Sequence, residues 1–156
     1  MISALQIIAP DVERINMISD PAIGPQRIAM MRLKGQSKPI PLRSYGDGMN
    51  RLFVIALAAA NASNGLLLID EIENGLHYSV QLDVWRLIFD LAHRLNIQVF
   101  ATTHSWDCVE AFQRAAAEHP EQGQIIRLGR KQDTIVATRF DEQELAIITR
   151  DQIEVR

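Results

Sequence analysis

The chain has 156 residues, 47% apolar and 22% charged, with a formal net charge of −3; that is enough material for one compact domain with its own core. Its longest apolar stretch, Leu52 to Ala60, is too short to span a bilayer, and Met1-Ile2-Ser3-Ala4 lacks a charged region leading into a long apolar one, so no membrane association and a cytoplasmic location are expected. The single cysteine, Cys108, cannot close an internal disulfide and is expected to be a buried thiol in a helix.

Charge is uneven along the chain, with seven basic and four acidic residues through Arg51 and nine and fifteen after it. A solvated surface accounts for most of this; Arg43 and Arg51 bracket a glycine-rich turn. From Met1 to about Leu42, Pro10, Pro21, Pro25, Pro39 and Pro41 interrupt apolar pieces such as Arg27 to Leu33. Such spacing predicts two or three short edge strands, not a central sheet. Met49 to Ala62 then repeats Leu52, Ile55, Ala56 and Ala59 at a helical period, and Gly65 supplies a stop signal.

Leu66-Leu67-Leu68-Ile69 is short and uniformly apolar, as a strand covered on both faces should be, and it runs into Asp70-Glu71. A polar turn, Glu73-Asn74-Gly75, precedes a helix from Ser79 to Leu95 with Leu82, Trp85, Phe89, Ala92 and Leu95 on one face. Ile97 to Thr102 is the next strand and delivers His104. Trp106, Val109, Phe112 and Ala116 mark another amphipathic helix. Gln124 to Leu128 with Thr134 to Phe140 reads as a two-stranded ribbon turning near Gly129, and Asp141 to Thr149 as a last short helix. Strands alternating with helices across short connections predict an α/β layered fold with right-handed parallel crossovers. The chain is expected to be one domain: edge strands over 1–42, a core over 43–120, and the ribbon and helix over 121–156.

Three segments carry chemistry. A carboxylate at the carboxyl end of a buried strand can hold magnesium, and its neighbour can orient or deprotonate the water that attacks a γ-phosphate; Asp70-Glu71 is such a pair, although one acid could simply cap the following helix. If the Leu66 and Val99 strands are neighbours, His104 emerges beside Glu71, where an imidazole can bond a phosphate oxygen or the attacking water. Ser44-Tyr45-Gly46-Asp47-Gly48 precedes a helix, so a hydroxyl and backbone amides are presented at a positive helix end; that is either a plain capping turn or an anion site.

In this order the three segments resemble the ATP-binding-cassette (ABC) type of ATPase, most closely the stand-alone AAA-named ATPases related to the OLD, RecF and Rad50 proteins. The resemblance covers the second half of such a domain, from about Pro41 to Trp106, and implies a P-loop NTPase-like α/β lobe that uses ATP and Mg2+. By resemblance Asp70 is the Walker B aspartate serving the metal, Glu71 the catalytic glutamate and His104 the switch histidine. Ser44, Gly46, Asp47 and Gly48 correspond to the signature motif, which contacts nucleotide held by the opposite subunit. Asn74 and His77, with Gly75-Leu76 between them, occupy the D-loop. Tyr45 and His77 depart from the transporter pattern in the direction of the OLD-related branch.

No GxxxxGK[ST] occurs, nor any Gly-Lys pair, so the loop and lysine that cradle the β- and γ-phosphates are missing. The resemblance then implies the signature-to-switch half of an ATPase, needing a Walker A half or second subunit in a homo- or hetero-oligomer, with weak ATP binding alone. A half-domain also exposes sheet edge and apolar face, and a dimer or exchanged partner is expected to cover the early strands. The alternatives are a non-catalytic module lending its Ser44 turn to a partner's nucleotide, and an unrelated metal hydrolase built on Asp70, Glu71 and His104. A nucleic-acid pathway is implied by resemblance only, since no basic, aromatic-interleaved patch is evident.

Overall fold

The prolines and apolar runs set the architecture. In the computed structural model, which describes residues 1–19, 27–119, 122–140 and 144, a short helix α1 (Ile2–Leu5) leads into strands β1 (Val12–Ser19), β2 (Arg27–Leu33) and β3 (Ile40–Pro41). These form an antiparallel sheet in that order. Pro41 lies in the edge strand, where its missing N–H costs no ladder bond. Val12, Met31 and Leu33 bury one face of the sheet, while Met17 and Ile18 near the far end of β1 remain exposed.

A 3-10 turn over Leu42–Tyr45 then feeds α2 (Asp47–Asn61), β4 (Leu66–Ile69), α3 (Tyr78–Leu95), β5 (Gln98–Ala101) and α4 (Trp106–Ala116). β4 and β5 pair in parallel from Leu66↔Gln98 through Ile69↔Ala101. Both strands therefore end at the same edge, and the loops that carry Asp70-Glu71 and His104 leave side by side. Ile55 and Ala59 of α2, Leu67 of β4, Ile88 and Ala92 of α3 and Val99 of β5 meet in one seam. At about 25 cal/mol per Å², fully burying such a side chain stabilises by roughly 1.5–3 kcal/mol, so this seam fixes the helices on the sheet.

The opposite face of the pair is open. Leu66, Leu68 and Phe100 are 52%, 70% and 50% exposed, so the strand expected to be covered on both faces is covered on one by the described residues. Among the described residues, three large exposed apolar side chains thus lie on β4 and β5, against Met17 and Ile18 on the early strands. Helical stripes also shift by a residue: α3 buries Val84 and Ile88 beside Trp85 and Phe89, and α4 turns Cys108, Ala111 and Ala115 inward. Trp85 joins the two helices, its indole donating to the Cys108 carbonyl at 3.2 Å and its ring meeting Phe112 edge-on at 4.9 Å.

Three local expectations are corrected. α2 starts at Asp47, two residues earlier than its apolar period suggests. It ends at Asn61, and the left-handed residue of the following turn is Asn64 (φ 56°), with Gly65 leading into β4. The ribbon is β6 (Ile125–Lys131) with β7 (Thr134–Phe140), and it turns at Gln132-Asp133; Gly129 sits inside β6 opposite Val136. Gln132 takes φ 54°, the positive value that two-residue hairpin turns demand and that composition alone would have assigned to glycine. Of the helix expected over 141–149, all but residue 144 lies outside the described residues. The whole is an α/β fold with a parallel pair, an antiparallel N-terminal sheet and a C-terminal antiparallel pair, and no described helix is long and apolar enough to cross a membrane.

Candidate functional site

The ladder between β4 and β5 continues one step past the strands. The Thr102 amide donates to the Ile69 carbonyl at 2.9 Å, and the Ile72 amide donates to the Thr102 carbonyl at 3.0 Å. That places the Thr102 side chain against the two acids. Its hydroxyl donates to Asp70 Oδ1 at 2.5 Å and accepts from the Glu71 amide at 2.9 Å. Both carboxylates face solvent.

Glu71 has φ 45°, in the left-handed region, which costs a non-glycine residue about 1–2 kcal/mol. Neighbours hold it there: besides the Thr102 hydroxyl on its amide, its carbonyl accepts from the Asn74 amide at 2.9 Å and from Arg51 Nη2 at 2.9 Å. The same guanidinium nitrogen donates to the Asp70 carbonyl. Arg51 belongs to α2, so one side chain ties that helix to the Asp70-Glu71 turn.

The first turn of α2 meets the next loop. A Cβ on Gly48 would lie 2.8 Å from the Gly75 carbonyl oxygen, and one on Gly75 would lie 3.3 Å from Asp47 Cβ; Gly75 also has φ 76°. Only glycines allow that approach. Asp47 and Gly48 are thereby brought against Gly75. Ser44, Tyr45, Gly46 and Asp47 are exposed, and no side chain caps the amides at the start of α2. His77 is the N-cap of α3, its Nδ1 lying 2.9 Å from the Ser79 hydroxyl and accepting from the Ser79 amide at 3.3 Å.

His104 arrives at the expected edge, where a further acid, Glu73, takes its main chain. Its main-chain amide donates to Glu73 Oε1 at 2.9 Å, while Thr102 fills the place next to Glu71. Glu73 Oε2 is buried without a hydrogen-bond partner among the described residues. Burial alone would raise the Glu73 pKa, but the bond from the His104 amide, its own amide, the nearby Thr103 hydroxyl and the His104 charge outweigh it, and the carboxyl is held below its ordinary value. Ser105 caps α4 by accepting from the Cys108 amide at 3.4 Å. Burial pushes the Cys108 thiol up, against opposing contacts from Thr103 and Trp85 and with the Glu73 charge adding to the rise.

Comparison with known proteins fixes the family. The family described as "AAA domain, putative AbiEii toxin, Type IV TA system" matches residues 7–107. The chain belongs to that family. An ATP/GTP phosphatase of Helicobacter pylori is 30% identical over 106 residues, covering 66% of this chain and 29% of that protein. Protein MJECL11 of Methanocaldococcus jannaschii is 28% identical over 94 residues, 60% of this chain and 82% of its own length. A solved structure from work on ATP-driven dimerization and DNA stimulated activation of SMC ATPases superposes with TM-score 0.66 at 12% identity, over 97% of this chain and 88% of that one. The chain therefore spans less than a third of the phosphatase's length and 88% of that solved chain. It is an ABC-type AAA domain, matched in part.

For an AAA domain of this type, the donor set fits magnesium carried on phosphates. Among the described residues no group of three or more His, Cys, Asp or Glu could cage a metal; magnesium is instead bound by one or two carboxylates plus substrate phosphates. Exposed Asp70 and Glu71, with Asp70 Oδ1 already engaged by Thr102, offer that short donor set. Nucleotide fits only partly, because no Gly-Lys phosphate loop exists in the sequence. Sequence reasoning overlooked Thr102 and Glu73 and noted Arg51 only for its charge. Thr102 was within reach: equal strand lengths from Leu66 and Gln98 put it opposite Asp70.

Proposed function

We propose that this chain is the signature-to-switch half of an ABC-type ATPase, which binds and hydrolyses ATP once a Walker A half or second subunit completes the site. The observation that carries the proposal is the Thr102 hydroxyl holding both the Asp70 carboxylate and the Glu71 amide at the edge of a parallel pair. That edge is where α/β sheets bind ligands. Asp70 serves magnesium, which when bound offsets the charge of the phosphates. Glu71 orients and deprotonates the attacking water. His104 bonds the γ-phosphate. Ser44, Gly46, Asp47 and Gly48 present a hydroxyl and uncapped helix amides to nucleotide on the opposite subunit, with Asn74 and His77 lining that contact. The assembly is cytoplasmic and ATP-bridged. Two relatives support this: the phosphatase acts on ATP or GTP by name, and the SMC ATPases dimerise under ATP.

The exposed Leu66, Leu68 and Phe100 face supports a missing partner, since parallel strands are ordinarily covered on both faces. The test is to co-express the chain with a fragment bearing a Walker A loop and measure magnesium-dependent ATP hydrolysis. Glu71→Gln should cut turnover about a hundredfold or more while nucleotide binding persists; undiminished hydrolysis would refute the assignment. The exposed, uncapped start of α2 also favours a second reading, a non-hydrolysing module that completes a partner's site. In that case Ser44→Ala lowers the partner's turnover and Glu71→Gln leaves it unchanged.

A further inference from the structure

We propose that Glu73 is the positioning residue of the switch: its carboxylate grips the His104 main chain and sets where the imidazole stands relative to the Asp70-Glu71 turn. The role of His104 rests on the ATPase reading above, whereas the grip itself does not. Nothing else among the described residues takes that amide, which donates to Glu73 Oε1 at 2.9 Å. Glu73 in turn is locked into the turn that begins at Glu71, because its carbonyl accepts from the Leu76 amide at 2.9 Å and the Asn74 amide bonds Glu71. The loop after β4 and the loop after β5 are therefore joined by one carboxylate.

The contact is placed to transmit motion. The Glu73 loop continues into Asn74-Gly75, which lies against the first turn of α2 at Gly48, so a second subunit pressing on that turn displaces the loop that holds His104. Among the described residues Glu73 Oε2 is buried without a hydrogen-bond partner, leaving the carboxylate room to improve its bonding when the loop moves. A buried acceptor left unmade is costly, which biases the pair toward rearrangement and away from rigidity.

A bland role would be to stabilise α4, whose N-terminus favours a nearby carboxylate. Amide hydrogen exchange on the whole chain separates the two. Glu73→Ala should speed exchange of the His104 amide about tenfold or more, while the Cys108 amide, capped independently by Ser105, stays within about twofold. Glu73→Gln keeps the acceptor oxygen and should return His104 exchange to within about threefold of wild type. In the complemented ATPase, Glu73→Ala should lower kcat about tenfold with KM unchanged, and Glu73→Gln should restore most of it. Should Glu73→Ala not fold, Glu73→Asp, one methylene too short to reach, takes its place. Unchanged His104 exchange, or equal acceleration at His104 and Cys108, overturns the proposal. An assembly inactive with the wild-type chain overturns the ATPase reading instead, and the exchange pattern still decides the grip.

Discussion

Replacing Thr102 by valine removes one hydroxyl and almost no volume, in a strand extension that suits a β-branched residue. Two hydrogen bonds disappear: one from the Glu71 amide at 2.9 Å and one to the Asp70 carboxylate at 2.5 Å. A neutral bond is worth about 0.5–1.5 kcal/mol and one to a charged group about 1.5–3. Asp70 and Glu71 are exposed, so water replaces much of both, and roughly 1–2 kcal/mol remains. Glu71 can then leave its left-handed conformation, recovering up to about 1 kcal/mol. The net loss is on the order of 1 kcal/mol, or a fall in Tm of about 2–4 °C for a chain of this size. The local effect should be larger than the global one. Amide exchange at Glu71 should rise about tenfold, and the complemented ATPase should lose about tenfold or more in kcat as the carboxylate leaves its place. Thr102→Ser should restore both. Wild-type Tm together with wild-type exchange at Glu71 in Thr102→Val would show that the hydroxyl does not organise the turn.

Gly48→Ala sets two effects against each other. Alanine in a helix should stabilise by about 1 kcal/mol, but its Cβ would stand 2.8 Å from the Gly75 carbonyl oxygen, an overpacking cost of about 1–3 kcal/mol. Thermal melting should therefore show a lower Tm, and a rise would mean that α2 and the Gly75 loop are not pressed together. Leu68→Glu on the open face of β4, where the side chain is 70% exposed, should change stability by less than about 0.5 kcal/mol and raise solubility. Titration calorimetry should then show lost association with the Walker A half; undiminished association would place the partner on another surface.

The outline was legible because the strongest signals were local. A run of four apolar residues ending at Asp70-Glu71, and the recurrence of Leu52, Ile55, Ala56 and Ala59, specify a strand and a helix whatever surrounds them. The residues that act on the acids were harder to read, because they depend on register and helix crossing. Thr102 reaches Asp70 only because Ile69 pairs with Ala101, and Arg51 reaches the same turn only because α2 crosses that edge. His104 illustrates the limit. Strand order placed it at that edge, yet the acid that takes its main-chain amide, Glu73, depends on how the chain turns after Glu71 at φ 45°. No propensity assigns glutamate to that conformation, and three hydrogen bonds impose it, two of them from Arg51 and Thr102 elsewhere in the fold.

Arg51 and Thr102 act on the Asp70-Glu71 turn mainly through its backbone, and this separates its shape from its chemistry. Arg51 holds both carbonyls, Thr102 and Asn74 hold the Glu71 backbone, and no hydrogen bond among the described residues goes to the Glu71 carboxylate. Changing Glu71 to glutamine therefore leaves every restraint on the turn in place. The same guanidinium anchors α2, whose uncapped start carries Ser44 and Gly46 just ahead of it. On the proposed ATPase reading, a pull on the Ser44 turn by nucleotide on a second subunit would reach the backbone of Asp70 and Glu71 through Arg51, independently of whether those carboxylates are intact. Arg51→Met should uncouple the two ends of that path while Glu71→Gln should leave it connected, so on the proposed reading Glu71→Gln should still associate in the presence of ATP while failing to hydrolyse it, and loss of that association in Glu71→Gln would refute the path.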